Sequence, residues 1–289
     1  MAQPGRQHPE SHRVVARGQR RAQLREEGAK AAIIAAISTV VFVAVALALV
    51  LTSDAWPRVR AQYFSWDDAV EVWPQVWKGF QRNVWMFIVA EVAILALSLL
   101  LAVVRSLRGP AFFPIRTLAI VFIDLLRGLP LYLVLILLGF GVPALQIEGV
   151  PNSPWFWGVT ALVLSYSAYT AEVFRAGMDS VHESQRAAGR SLGLTQLQTL
   201  WYAVIPQAVR NTVPALLGGL ISLQKDVALV SVLGIREAIR EADIYKSRTF
   251  NYTGFVVAAV LFLLISVPLA RFTDWYTARD RSRRQQQVA

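Results

Sequence analysis

Apolar residues run in six long stretches, 31–51, 84–104, 117–140, 155–174, 208–233 and 252–272, with polar or charged segments between them. A helix needs about 20 such residues, at ~1.5 Å each, to cross a hydrocarbon layer ~30 Å thick. The pattern predicts an all-α polytopic membrane bundle of about six transmembrane helices. The stretch 31–51 exceeds the ~7–15 apolar residues of a signal peptide and comes after thirty residues, so it is read as a retained helix. Polar residues interrupt the fourth and fifth stretches.

Composition agrees. The chain of 289 residues is 55% hydrophobic and 17% charged, well below the quarter charged of ordinary soluble domains. It has no cysteine, which excludes disulfides, thiolate metal sites and cysteine nucleophiles. The net charge of +10 sorts by side. Seven basic residues precede the first span, three lie in 105–116, four in 175–211 and five toward the C-terminus. The alternate segments carry four, none and four. Basic loops stay inside, so both termini and the 175–211 loop are expected in the cytoplasm of a cell-membrane protein. The tails 1–30 and 278–289 then serve orientation and contact with lipid, and no nucleic-acid partner is expected.

The loop SQRAAGRSLGLTQLQTLWYAVIPQ (184–207) is polar and rich in small residues. Ser184 is placed to cap a helix starting at Gln185, and Gly193, after Leu192, to end it in a left-handed turn. Ala187, Ala188, Gly189 and Ser191 would let another backbone come close. Thr195 is placed to cap a second helix, 196–204, in which Leu197, Leu200, Trp201 and Val204 share one face. Pro206 interrupts the pattern before the next span. Two readings stand on these residues: a knuckle for a protein partner, or a hairpin lying on lipid.

Ionisable residues inside a bilayer cost roughly 2.5–3.5 kcal/mol each on insertion scales and so mark functional candidates. They are Glu91, Asp124, Arg127, Glu172, Lys225 and Asp226. Asp124 and Arg127 are one turn apart and can neutralise each other; Gly128 and Pro130 come next, a place for a broken helix that lines a transport path. Arg127 could hold a carboxylate bidentately and Glu172 an ammonium. Each of these residues could equally serve only helix packing.

The loop register, Ala187-Ala188-Gly189, three residues, Gly193, nine residues, then Ala203-Val204-Ile205-Pro206, resembles the Glu-Ala-Ala loop of permease subunits of binding-protein-dependent ABC importers. LLRGLPLYL (125–133), SAYTAEVFRAG (167–177) and QKDVALVSVLG (224–234) are similar to segments of the amino-acid importers among them. The likeness runs from about Gly79 to Thr277. It implies a type-1 importer permease domain over 79–277 with its coupling loop at 178–206, an additional helix at 31–51 and an extracytoplasmic segment at 52–78. It further implies pairing with a second permease chain, identical or paralogous, two ATPase subunits docked on the loops, and an extracytoplasmic amino-acid-binding protein. Ala187 stands where the family has glutamate, with Glu183 and Arg186 nearby; Leu129, Val227 and Ala228 stand where hydroxyls are usual.

No glycine-rich loop ends in Gly-Lys-Ser or Gly-Lys-Thr, so this chain is expected not to be an enzyme: ATP and magnesium would belong to the partner. His8, His12 and His182 do not suggest a metal site. The rivals are an ion-gradient-driven transporter and a non-transporting membrane scaffold.

Overall fold

A computed structural model describes residues 33–107 and 109–288, with side chains as far as residue 280. The N-terminal tail with His8 and His12 lies outside the described residues. Every regular element among the described residues is helical. The described residues up to Arg60 form one compact unit and those from Ala61 onward another. In the first, α1 (Ile33–Leu51) exposes all its side chains, as suits a helix whose surroundings are lipid. The short α2 (Trp56–Tyr63) comes next.

The spine of the second unit is α3 (Trp66–Ser106), 41 residues and so about 60 Å long. Ser65 starts it by accepting from the Asp68 N–H, and Asp67 and Asp68 place negative charge in the first turn, where the helix dipole favours it. Val72, Val76, Phe80, Asn83, Met86, Ala90, Ile94, Ser98 and Ala102 are buried; their spacing of three and four makes one stripe. Three hydrophobic clusters hang on that stripe. One joins Val72, Val76 and Phe80 to Ala242, Tyr245 and Leu261. The middle one joins Met86 and Ile94 to Leu126, Leu135, Leu162 and Leu223. The third, at the loop end of the bundle, joins Ala102 to Phe174, Leu200, Val204 and Ala208.

A single 3-10 turn (Pro110–Phe112) leads into α4 (Phe113–Gly128). The stretch expected as one span, 117–140, is then bent by 106° between Pro110–Gly128 and Leu131–Ala144. Pro130 supplies no N–H and forces the preceding Leu129 into extended geometry, φ −98° and ψ 135°, which no helix tolerates. The second arm holds α5 (Leu131–Ile136), a π turn (Leu137–Gly141) and α6 (Val142–Ala144).

The main partner of α3 is α7 (Pro154–Asp179). Gly158, Ala161, Ser165, Ser167, Ala168 and Ala171 are buried along it, and small side chains are what let membrane helices approach closely. After α8 (Glu183–Ser191) come α9 (Gln196–Thr199), a π turn (Leu200–Val204), α10 (Ile205–Asp226) and a 3-10 segment (Val227–Leu233). The chain closes with α11 (Ala238–Thr249) and α12 (Thr253–Val288). Among the described residues four helical stretches are long and apolar enough to cross a membrane, Ile33–Leu51, Trp56–Ser106, Gln196–Leu233 and Thr253–Asp280, and the bent pair makes a fifth if it is one span. The predicted span 155–174 is the centre of α7, which has the length but carries its polar groups into the bundle.

Candidate functional site

The loop is built much as its sequence suggests, with two corrections. The cap of α8 is His182, not Ser184: His182 Nδ1 accepts from the Ser184 N–H at 3.2 Å. Gly193 ends the helix at φ +78°. The Gly193 N–H donates to the Arg190 carbonyl at 3.0 Å and the Leu194 N–H to the Gly189 carbonyl at 3.1 Å, the two bonds of a Schellman corner. Ala187, Ala188, Ser191 and Leu192 are exposed and Gly189 is buried. A Cβ on Gly189 would meet Thr199 Cγ2 at 2.8 Å, so this glycine lets α8 rest on the end of α9.

Thr195 caps α9 in a reciprocal capping box with Gln198. The other correction is at Pro206, which does not end the helix; the helical stretch continues to Leu233. The π turn takes up the missing N–H, since the Ile205 N–H reaches back five residues to the Leu200 carbonyl. The extra residue also rotates the face. Leu200 and Val204 are buried, whereas Leu197, Trp201 and Tyr202 are 48%, 53% and 75% exposed. Leu197, Trp201 and Tyr202 line one shallow depression with Gln198, an apolar patch on a polar loop and a mark of a binding surface; Leu192, at the corner, is 81% exposed. The loop is braced to the bundle: Arg186 Nη2 donates to the Met178 carbonyl at 2.7 Å, and Asn211 Nδ2 to Ser180 Oγ at 2.9 Å.

The intramembrane charges gather differently from expectation. Asp124 and Arg127 form no ion pair within 4 Å; Asp124 is exposed. Arg127 instead leans toward Glu172, Nη1 to Oε1 4.0 Å, with its guanidinium 5.9 Å from the Tyr169 ring centroid. Glu172 is also contacted by Arg105 and, at 2.9 Å, by Arg175. Arg105 and Arg175 went unnoticed in the sequence because they sit where spans end and read as loop charges. Lys225 and Asp226 close α10 at its junction with the 3-10 segment. Lys225 is exposed, and Asp226 Oδ2 accepts from Tyr166 Oη at 2.7 Å. Glu91 is half-buried in mid-α3.

At the opposite end, Asn83 ties α3 to the start of α11. Its Nδ2 donates to Glu237 Oε2 and its Oδ1 accepts from the Ala238 N–H, both at 3.0 Å. Glu237, wholly buried, also accepts from the N–H groups of Ile239 and Arg240. Burial pushes its carboxyl above the ordinary range against the pull of those donors. Among the described residues no three of His, Asp or Glu converge as metal ligands.

The model of a family described as "Binding-protein-dependent transport system inner membrane component" matches residues 110–281, more than half of the chain. The chain belongs to this family. It is similar to the "Probable amino-acid permease protein YxeN" of Bacillus subtilis (strain 168), 29% identical over 212 residues, covering 73% of this chain and 93% of the relative. To the "Arginine transport system permease protein ArtQ" of the same organism it is 32% identical over 177 residues, covering 61% and 80%. Among solved structures, an amino acid ABC transporter with histidines superposes with a TM-score of 0.64 at 30% identity, over 73% of this chain and 96% of that one. As an inner membrane component of the type-1 importer fold, the chain is a multi-pass membrane protein and a transport permease.

Proposed function

We propose that this chain is the permease subunit of an ATP-driven amino-acid uptake transporter of the cytoplasmic membrane. The observation that carries the reading is the braced loop with its exposed Leu192 and its apolar patch of Leu197, Trp201 and Tyr202, in a chain of this family. A hairpin lying on lipid has no need of side-chain ties to α7 and α10. A knuckle transmitting force does, because slack at the joint would absorb the motion.

Two ATPase subunits would hold ATP and magnesium and dock on the loops from the cytoplasm, the side that the basic-residue count assigns to them. A second permease chain would complete the path, and an extracytoplasmic binding protein would deliver the amino acid. Arg127 is the group offered to the substrate carboxylate: among the described residues its guanidinium makes no side-chain hydrogen bond, and its side chain is 43% exposed. Lys225 and Asp226 extend the path at the end of α10. Glu172 has both oxygens engaged by arginines, which leaves it ill suited to an ammonium. Alternating access then results if drawing the loops together tilts α7 and α10 about these charges.

The test uses the absence of native cysteine. A single cysteine at Ala187 or Ser191 is expected to crosslink to the ATPase in a manner that changes with ATP. Labelling of the same cysteine from lipid, with no ATPase contact in either state, would return the loop to the hairpin and favour the ion-driven rival.

A further inference from the structure

Glu172 sits where three guanidiniums converge. Arg175, one turn along α7, takes Oε2 with Nε and Nη2, both at 2.9 Å. Arg105 from α3 contacts Oε1, and Arg127 from α4 stands 4.0 Å from that same oxygen. Arg105 holds that oxygen, and its like charge opposes a closer approach of the Arg127 guanidinium. A shift of about 1 Å would bring Arg127 within hydrogen-bonding range, and loss of Arg105 would remove the like charge that stands against it.

The division of partners is uneven. Among the described residues Glu172 is the only ion-pair partner of Arg105, whereas Arg175 also pairs with Asp179 at 2.7 Å. One carboxylate already satisfied by Arg175 does not need a second arginine for its charge alone. Arg127, by contrast, is held at its backbone, where Tyr169 Oη donates to its carbonyl at 3.0 Å, and among the described residues its guanidinium has only the 4.0 Å ion pair with Glu172 and the Tyr169 ring.

We infer that Arg105 is a positioning residue: by occupying Glu172 Oε1 it keeps the Arg127 guanidinium available for the carboxylate of the transported amino acid. The inference rests on the functional reading above, in which Arg127 meets that carboxylate. Arg105 itself touches no substrate.

The test is equilibrium binding of radiolabelled histidine, arginine, glutamine and glutamate to the complete permease–ATPase complex in detergent, without binding protein. Arg105→Gln is expected to raise the Kd of the bound amino acid about 10- to 100-fold, the equivalent of one lost charge-assisted hydrogen bond. Adding Glu172→Gln to that variant removes the competitor and should bring Kd back to within a few-fold of wild type. Arg105→Lys, which keeps a cation on Oε1, should stay close to wild type. If the double variant binds as poorly as Arg105→Gln, or if neither assembles, Arg105 is structural and the inference is overturned. Assembly of the double variant alone, with near wild-type Kd, supports it. The functional reading fails separately, through a wild-type complex that binds none of the four or an Arg127→Gln variant whose Kd is unchanged.

Discussion

Gly79→Ala probes the joint that holds α11 on α3. A Cβ built on Gly79 lies 2.6 Å from the Glu237 carbonyl carbon, 2.7 Å from the Ala238 nitrogen and 2.8 Å from the Glu237 oxygen. These are backbone atoms, so no rotamer change relieves the clash. Reaching ordinary contact near 3.4 Å requires the two segments to part by about 0.8 Å. The bonds from Asn83 to Glu237 and Ala238, both 3.0 Å, would then stretch to about 3.8 Å, beyond hydrogen-bonding range. Overpacking costs about 1–3 kcal/mol and two buried hydrogen bonds ~0.5–1.5 kcal/mol each. Replacing a helical glycine by alanine returns ~1 kcal/mol, so the net loss is about 1–5 kcal/mol. Thermal unfolding in detergent, tracked by tryptophan fluorescence, should show Tm lower by roughly 5–10 °C at the middle of that range. Gly218→Ala is the control, since nothing lies within 4 Å of its Cβ and helix propensity alone operates. Equal or raised Tm in both variants would refute the close approach at Gly79.

Trp201→Ala should leave Tm within about 2 °C, because the ring is 53% exposed, yet sharply reduce ATPase co-purification; undiminished recovery of the ATPase would remove Trp201 from the docking surface. Gly193→Val should destabilise the loop by about 1–2 kcal/mol through its φ of +78°, with Gly193→Asn milder; loop-selective proteolysis measures the order, and equal protection of both contradicts it. Glu237 predicts a pH effect. Its folded carboxyl titrates above the unfolded value of ~4.3, so the folded state keeps a proton that the unfolded chain has lost. The contribution to stability is full below the unfolded value and declines as pH rises through the folded one. Glu237→Gln should flatten that decline, because the amide does not titrate while keeping one acceptor for the N–H donors; a slope unchanged from wild type assigns the pH dependence elsewhere.

Long apolar runs were legible because their signal is additive over some 20 residues. The bend at Leu129–Pro130 was half legible: proline announced the break, but the 106° turn depends on Val134 and Leu135 finding the core beneath α7. The π turn at Leu200–Val204 was not legible. It keeps the helical look of the sequence while adding one residue to the turn, so the stripe Leu197, Leu200, Trp201, Val204 splits into two buried and two exposed. The charge cluster failed for another reason. Counting residues per loop assigns Arg105 and Arg175 to the water side, but a long arginine stem carries its charge back into the bundle, and only tertiary packing tells which way it goes.

The same packing argues for α7 as the element joining loop to charge cluster. At its lower end Gly177 brings it against α10, where a Cβ would lie 2.3 Å from Thr212 Cγ2 and 2.9 Å from the Ala208 oxygen. Just beyond Gly177 the Met178 carbonyl accepts the bond from Arg186 that braces α8, and Ser180 Oγ accepts one from Asn211 of α10. Glu172 is five residues above Gly177 on the same unbroken helix, about 7–8 Å along its axis. A displacement of the loop that left Glu172 in place would have to break α7 in between, and α7 has no proline or π turn there. Shear at the cluster is the softer response: it asks for the Tyr169 to Arg127 carbonyl bond and the Arg105 contact on Glu172 to yield, and the Arg127 guanidinium already stands off at 4.0 Å, whereas a break in α7 would cost successive backbone bonds of one helix.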